Sequence, residues 1–374
     1  MGAKKVLVAG ASGLVGYAAF KNFALNGNCE VIALSRRAPA ETHGARFVSL
    51  DLLDRDACAR FIEQNADITH LVFAAVHEQA SVVAGWRDED QIETNDRMFR
   101  NILDPLDRVA TGLRHVTILQ GTKAYGVHVR KLKNPARENR DEMHEQPNFY
   151  WRQENHLKAT AKGRNWHWTI MRPVHIFGEA MGSSLNPITA IGVYAAVMKE
   201  EGRRLDFPGG APRISQAIDS EILARAIAWA GEAEAARNEI FNIANGDVFT
   251  WENVWPAIAD ALGIEPGEHR PMALSSVMPG KAEVWERVRQ KHALKAPPLE
   301  SFVHTSFQLT DYTFRYGITE PETALVSTVK LHRAGFCEEI DTEDMFRKWF
   351  GRFQKEGLLP MPEASGPGKK RATA

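Results

Sequence analysis

Three glycines near the N-terminus have the spacing of a dinucleotide-binding loop. The loop and the start of the next segment contain Gly10, Ser12, Gly13, Leu14, Val15 and Gly16. Glycine at these spacings lets the turn be tight, lets backbone amides approach a pyrophosphate and lets a helix pack closely on a strand. An apolar run precedes the loop and a helical pattern follows it, so we predict a pyrophosphate site at a helix N-terminus. The alternative is a glycine-rich turn that arose by chance.

The residues that end the second apolar run indicate which dinucleotide binds. A protein that uses NAD typically has Asp or Glu at this point to bind the ribose hydroxyls. This chain has Ser35, Arg36 and Arg37 instead. Two guanidinium groups and a hydroxyl suit a 2′-phosphate, because arginine binds phosphate through paired, charged hydrogen bonds. We therefore predict NADPH/NADP as the cofactor, with a solvated basic turn as the alternative.

Two further pairs of residues are expected to contact the cofactor. Asp51 and Leu52 end the third apolar run, where they are placed to contact the adenine. Ala74 and Ala75 end the fourth run and are small enough to let the cofactor pass. Both pairs lie where parallel strands present their carboxyl ends to a ligand.

The elements that must position these residues alternate along the N-terminal half. Apolar runs rich in Val, Ile and Leu cover residues 4–10, 29–35, 45–51, 69–75, 115–121 and 166–173. Runs without polar alternation are typical of strands buried on both faces, and the segments between them fit crossover helices, the first at about 14–26. This pattern predicts an α/β fold with a Rossmann-type doubly wound parallel sheet.

The alternation of strands and helices ends near residue 175. Helical stretches at 188–202 and 220–236 then dominate, separated by segments rich in proline and glycine. We expect an NADP-binding Rossmann domain over residues 1–175 and a smaller, mostly helical, substrate-binding cap over 176–360, with some segments returning to the Rossmann core. Residues 361–374 are expected to form a flexible tail.

The composition favours a small-molecule partner. The chain has 374 residues, with 46 Lys and Arg against 47 Asp and Glu and 44% hydrophobic residues. This charge balance lacks the basic excess that binding to nucleic acid or to an anionic membrane needs. The apolar runs are shorter than the roughly 18 to 20 residues of a membrane span, and no signal-peptide pattern is found. We expect a cytoplasmic protein without a metal, because the cysteines are isolated and the histidines lack a ligand spacing.

The glycine spacing is similar to that of the extended short-chain dehydrogenase/reductase superfamily, but the usual catalytic pattern is absent. Members normally have a tyrosine followed four residues later by a lysine. Here Tyr150 is followed by Glu154 at that distance. The only match to the pattern, Tyr17 with Lys21, lies on the predicted helix behind the glycine loop. We expect that match to lie at the surface, without a catalytic role.

Several separated motifs resemble those of the progesterone 5β-reductase/iridoid synthase family, from about residue 5 to residue 358. They are Gln120-Gly121-Thr122-Lys123-Ala124-Tyr125, Asn148-Phe149-Tyr150, Arg172-Pro173 with Ile176-Phe177-Gly178, Asn245-Gly246-Asp247-Val248-Phe249 and residues 95–101. The resemblance implies that the catalytic lysine follows the fifth strand and the catalytic tyrosine comes from the Asn-Phe-Tyr motif. These residues are Lys123 and Tyr150 here, and the resemblance also implies a homodimer.

The neighbours of these motifs complete the predicted site. The additional residues expected to contact the cofactor are Gln120, Gly121, Pro173, Val174 and Ile176. Phe177, Met181 and Phe207 are expected to line an apolar substrate pocket, and core packing is an equal alternative for each of them.

Together these features predict an NADPH-dependent reductase of the C=C bond of α,β-unsaturated carbonyl compounds, acting on a small apolar enone or enal. Hydride addition to the β-carbon places negative charge on the carbonyl oxygen, which needs a preorganised donor. The Tyr150 hydroxyl would supply the hydrogen bond, and the Lys123 ammonium would orient it. The alternatives are a carbonyl reductase or sugar epimerase on the same scaffold, or a non-catalytic NADP-binding sensor.

Overall fold

The central element of the fold is a parallel β-sheet. The computed structural model describes residues 3–79, 87–180, 186–320 and 322–362. Within them, the main sheet contains β1 (Lys4–Ala9), β2 (Cys29–Ser35), β3 (Arg46–Ser49), β4 (His70–Phe73), β5 (His115–Leu119), β6 (His167–Pro173) and β10 (Glu239–Ile243). The strand order is β10-β6-β5-β4-β1-β2-β3. The order reverses between β1 and β4, and ligands of such sheets bind in the crevice at this switch point.

Helices cover both faces of the sheet. On one face lie α1 (Leu14–Asn26) and α6 (Ser220–Ala230), and on the other lie α2 (Arg55–Glu63), α3 (Glu89–Val109) and α4 (Phe149–Ala161). Val6 and Val8 of β1 pack in the first apolar layer, whereas Leu7 packs in the second. Because both faces are buried, most positions of the strands are apolar, which explains the apolar runs without regular polar alternation. The predicted doubly wound parallel sheet is confirmed, with all of the predicted strands in place.

The C-terminal half is mainly helical and has its own apolar core. Its remaining elements are β7 (His175–Phe177), α5 (Pro187–Glu200), β8 (Leu205–Phe207), β9 (Ala217–Asp219), α7 (Trp251–Leu262), β11 (Pro266–His269), α8 (Leu274–Val277), α9 (Ala282–Lys291), α10 (Leu299–Val303), α11 (Ser306–Thr313), α12 (Val329–Arg333) and α13 (Thr342–Lys355). Strands β7 and β9 pair in parallel, as do β8 and β11. Two parts of this half lie against the main sheet, because β10 pairs with β6 and α6 packs on α1.

Candidate functional site

A cavity of about 300 Å³ opens at the carboxyl ends of the central strands. The glycine loop contributes Gly13 to its wall, the end of β4 contributes Ala74 and Ala75, and α11 contributes Tyr312. The cavity therefore lies at the switch point of the sheet, and the C-terminal half forms part of its wall. Most of its lining is apolar, as is typical of small-molecule sites.

The glycine loop adopts a conformation that other residues would not tolerate. Gly10 has φ of +91°, and a Cβ atom there would lie 2.5 Å from the amide nitrogen of Ala75. A Cβ atom on Gly16 would lie 2.1 Å from the carbonyl oxygen of Gly10. Gly13 is the N-cap residue of α1, and its position lacks a side-chain cap. The first amides of the helix are thus placed to bind an anion, and the loop fits a pyrophosphate.

Most of the predicted cofactor residues lie around this cavity. Its lining includes Gly13, Leu14, Val15, Ala74, Ala75, Gln120, Gly121, Pro173, Val174 and Ile176. Ser12 lies in the turn between β1 and α1 and is half-buried. These positions form a continuous band from the glycine loop to the end of β6.

The basic turn after β2 is held by two hydroxyl groups. Ser35 Oγ donates to the carbonyl oxygen of Arg37 at 2.6 Å, and Ser49 Oγ donates to that of Arg36 at 3.1 Å. The arginine side chains are exposed, whereas Ser35 is buried. Burial, and to a smaller extent the charge of Arg37, lower the pKa of the imidazole of His304, a residue that the sequence did not point to. The turn therefore presents two exposed guanidinium groups, the type of side chain that binds phosphate.

Asp51 and Leu52 help to shape the turn after β3. The Asp51 carboxylate accepts a hydrogen bond from the amide of Leu53 at 3.0 Å. The Leu52 carbonyl accepts one from Asn101 Nδ2 at 2.9 Å. Asn101 belongs to the motif at residues 95–101, so one role of that motif is to anchor this turn. A contact of Asp51 and Leu52 with adenine stays a prediction.

Lys123 and Tyr150 lie together at the polar corner of the cavity. Lys123 is in a 3-10 turn directly after β5, and its Nζ atom is 5.7 Å from the centroid of the Tyr150 ring. Tyr150 lies in the first turn of α4, where the Asn148 side chain accepts a hydrogen bond from its amide at 3.1 Å. A Cβ atom on Gly121 would lie 3.3 Å from the Tyr150 hydroxyl. Glycine at this position therefore leaves room for a group that approaches the hydroxyl.

A buried network of hydrogen bonds and ion pairs packs next to this corner. Arg172 donates to Gln120 at 2.7 Å, to Glu142 at 2.7 Å and to Glu154 at 3.4 Å. Gln120 in turn donates to Glu154 at 2.9 Å. Glu154 occupies the position at which the superfamily normally has lysine. A lysine there would place a second cation beside buried Arg172, so this network explains why the usual pattern is absent.

Burial and one carboxylate set the protonation of the two side chains. Burial lowers the pKa of Lys123 to about 8, and the charge of Glu78 acts in the opposite direction. Burial, and then Glu78, raise the pKa of Tyr150 above its ordinary value. At neutral pH the tyrosine is therefore a hydrogen-bond donor, and the lysine is mostly charged.

Glu78 lines the cavity, although no sequence motif pointed to it. Gln91 Nε2 donates to its carboxylate at 3.1 Å. Asn95 fixes the neighbouring backbone, because its side chain bonds the amide of His77 at 2.8 Å and the carbonyl at 2.9 Å. The first residue of the motif at 95–101 thus positions the loop that brings a carboxylate to the site.

The expected pocket walls lie elsewhere. Phe177 and Phe207 are buried in the C-terminal core, where Phe177 packs 5.0 Å from Phe346 and Phe207 packs 5.1 Å from Trp255, between ring centroids. Both residues therefore follow the alternative of core packing, whereas His175 and Ile176, which precede Phe177 in β7, line the cavity. Met181 lies outside the described residues. The apolar wall includes Val76, Val127, Phe149, Pro187, Leu309 and Tyr312.

The expectation of a surface position for Tyr17 was wrong. Tyr17 is 4% exposed, and its hydroxyl is 2.9 Å from His43 Nε2. Lys21 forms an ion pair with Glu179 at 3.0 Å. The pair is structural, and it lies apart from the residues that line the cavity.

Two negative findings apply to the described part of the chain. No helix there is long and apolar enough to cross a membrane. Within those same ranges, no group of His, Cys, Asp and Glu side chains is arranged to hold a metal ion.

Solved structures with this fold include nucleotide-sugar enzymes. The UDP-glucose 4-epimerase of Thermotoga maritima, solved with UDP-glucose, superposes with a TM-score of 0.65 at 17% identity, covering 94% of this chain and 99% of that one. The Bordetella bronchiseptica enzyme WbmG, in complex with NAD and UDP, gives a TM-score of 0.64 at 14% identity, covering 98% and 100%. At these identities the likeness shows the shared fold alone.

Relatives by sequence cover nearly the whole chain. (S)-8-oxocitronellyl enol synthase ISY1 of Nepeta racemosa is 27% identical over 373 residues, covering 95% of this chain and 92% of that one. The 3-oxo-Delta(4,5)-steroid 5-beta-reductase of Arabidopsis thaliana is 28% identical over 374 residues, covering 95% and 92%. The family described as the PRISE-like Rossmann-fold domain matches residues 6–360. With its parallel sheet, its glycine loop and a family match over residues 6–360, the chain belongs to this PRISE-like family of Rossmann-fold enzymes.

Proposed function

We propose that the protein is an NADPH-dependent reductase of the C=C bond of α,β-unsaturated carbonyl compounds. The observation that carries the proposal is the pairing of Lys123 with Tyr150, 5.7 Å from Nζ to the ring centroid, at the polar corner of an otherwise apolar cavity. The relative named as a 3-oxo-Delta(4,5)-steroid 5-beta-reductase supports the same class of reaction. The cavity suits a small enone or enal whose carbonyl oxygen lies at that corner.

The residues present fit the cofactor. The amides at the start of α1, beside Gly13, would hold the pyrophosphate, and Arg36 and Arg37 would hold the 2′-phosphate. The band from Gly121 to Pro173 would hold the nicotinamide ring beside the polar corner. When bound, NADPH supplies the hydride for the β-carbon of the substrate.

The chain's own residues act on the carbonyl oxygen. The Tyr150 hydroxyl donates a hydrogen bond to this oxygen, because the raised pKa of the tyrosine keeps its proton in place. The Lys123 ammonium adds positive charge as the enolate forms, and the low-dielectric surroundings strengthen its effect. The α-carbon then takes a proton from water or from Tyr150. Both side chains therefore stabilise charge that develops only during the reaction.

The experiment combines a substrate panel with product identification. Purified protein is expected to consume NADPH with at least some members of a varied set of enones and enals and to yield the saturated carbonyl compound. An allylic alcohol would indicate a carbonyl reductase, and isomerisation of a sugar nucleotide without net NADPH use would indicate an epimerase. Binding of NADP without any turnover would indicate a sensor, and each of these results would overturn the proposal.

Matched variants test the assignment of the two residues. Tyr150→Phe and Lys123→Met are each expected to lower kcat/KM by about 100-fold or more, the usual cost of losing a donor to a developing oxyanion. Tyr316→Phe and Lys355→Met make the same chemical changes at exposed positions and are expected to keep full activity. If the two site variants were as active as the two control variants, the polar corner would have no catalytic role.

A further inference from the structure

Two arginines in the C-terminal half each have a buried guanidinium nitrogen without a hydrogen-bond partner. Arg213 is 8% exposed, and its Nε atom lacks a hydrogen-bond partner. Its Nη1 atom donates to the carbonyl oxygen of Glu322 at 3.2 Å. Arg315 is half-buried, and its Nε atom is likewise buried and unbonded. Among the residues that the structure describes, neither guanidinium forms an ion pair.

Arg315 contacts a residue of the cavity wall, and the charges of both arginines act on a histidine in that wall. The guanidinium carbon of Arg315 is 4.6 Å from the ring centroid of Tyr312, a cavity residue. His175 also lines the cavity, and its Nδ1 atom is 3.5 Å from Thr313 Oγ1. Burial, followed by the charges of Arg213 and Arg315, lowers the pKa of His175 to about 3. Both charges therefore act on the same part of the wall.

The two guanidinium groups also act on each other. Burial and then the charge of Arg315 lower the pKa of Arg213 to about 10. Buried Arg172 provides the contrast, because Gln120 and two glutamates accept its hydrogen bonds. A buried charge without such a partner is costly, and a bound anion would supply the missing acceptor.

The geometry points to an anion-binding subsite, formed by Arg213 and Arg315, that takes a carboxylate or phosphate at the non-reacting end of the substrate. This inference rests on the proposed function, because it names a substrate class for the same cavity. Arginine is suited to the role, since its planar fork matches the oxygens of both groups. The substrates are then enones or enals that carry an anionic group at the far end, rather than wholly apolar ones.

A second opening gives an anionic group a route to Arg315. Arg315 lines an open recess of about 460 Å³ beside the cavity, and Val127 lies in the walls of both. The other charged residues of the recess are Arg87, Arg130, Lys131, Glu320 and Glu322. Its cations outnumber its carboxylates, so the recess favours the entry of an anion.

The test compares three substrates that differ only at the far end. An enal with a terminal carboxylate, its methyl ester and the corresponding phosphate monoester are assayed for kcat/KM with NADPH. Charged hydrogen bonds predict that at least one anion is preferred over the ester by about 10-fold or more. Arg213→Gln and Arg315→Gln are each expected to reduce that ratio to about 1, whereas Arg347→Gln, at an exposed position on α13, is expected to keep it. A wild-type ratio near 1, or an unchanged ratio in both variants, would overturn the subsite.

Binding measurements separate this inference from the proposed function. Calorimetry with the saturated carboxylate and its methyl ester requires no turnover. Binding of the carboxylate that is lost in Arg213→Gln supports the subsite even if no enone is reduced, in which case only the reductase proposal fails. Reduction of neutral enones with equal binding of acid and ester would overturn the subsite alone. Thermal unfolding of Arg213→Gln is expected at or above the wild-type temperature, because the change removes an unpaired buried charge.

Discussion

Substituting Glu78 should move the alkaline limb of reductase activity to lower pH. Burial lowers the pKa of Lys123 to about 8, and the Glu78 carboxylate acts against this lowering. The ammonium form stabilises the enolate, so kcat/KM falls as the pH rises through the pKa of Lys123. Glu78→Gln removes the charge that favours the ammonium form. The pKa of Lys123 then falls further, and activity is lost earlier on the alkaline side.

The size of the effect follows from titration of one group. Above its pKa, the charged fraction of a lysine falls about 10-fold for each pH unit. The wild type is therefore expected to keep about half of its plateau activity at pH 8 and about one tenth at pH 9. An opposite charge next to a buried group shifts its pKa by about 1 unit, so Glu78→Gln is expected to keep about one tenth at pH 8.

The assay is kcat/KM for one enone at saturating NADPH, from about pH 6 to pH 10 at constant ionic strength. Glu252→Gln, at an exposed position on α7, is the control and should follow the wild-type profile. Tyr150 adds no limb in this range, because its pKa is raised. A wild-type profile that is flat to pH 10 would refute the role of Lys123. A limb in Glu78→Gln at the same or higher pH would refute the role of Glu78.

Three other substitutions test the loop, the cofactor and the buried network. Gly16→Ala places a Cβ atom 2.1 Å from a carbonyl oxygen, so we expect about 1–3 kcal/mol of destabilisation in urea, whereas Gly112→Ala, with nothing within 4 Å, should unfold like the wild type. Replacing Arg36 and Arg37 by Glu should lower the NADPH-to-NADH ratio of kcat/KM by about 100-fold, and an unchanged ratio would contradict the 2′-phosphate site. Arg172→Met leaves two buried glutamates without their cation, so chemical denaturation should show a loss of about 3–5 kcal/mol, and a loss under about 1 kcal/mol would contradict the network.

The sheet and the glycine loop could be predicted because local sequence determines them. Strands buried on both faces need mostly apolar runs, and α1 forms at its predicted bounds, Leu14–Asn26. Gly10 and Gly16 are needed because backbone atoms lie where a Cβ atom would be. Strand β10 was not predicted, because its five residues stand among helices and find their partner, β6, about 70 positions earlier in the chain.

The candidate site could be predicted only in part. Lys123 and Tyr150 belong to motifs, and the structure places their side chains together. Glu78 and Tyr312 belong to none of them, and only tertiary packing brings them to the cavity. Apolar side chains are buried both in a core and in a pocket wall, so the sequence alone did not show that Phe177 and Phe207 belong to the core.

Glu154 departs from the Tyr-x-x-x-Lys pattern, and its contacts in the structure show what it does instead. The sequence shows only that Glu154 stands four residues after Tyr150. The structure shows its carboxylate accepting hydrogen bonds from Gln120 and Arg172, and it forms an ion pair with Lys158 at 2.6 Å. The position is therefore part of the support behind the polar corner, and a lysine would face like charge there.

The central claim is that Tyr150 donates a hydrogen bond to the oxygen of the forming enolate. It is tested most directly by the single-turnover rate of NADPH oxidation in Tyr150→Phe, with enzyme in excess over an enone that the wild type reduces. We predict a rate about 100-fold or more below that of the wild type, while NADPH binding is unchanged. A rate within about threefold of the wild type, with the saturated carbonyl compound still formed, would contradict the claim.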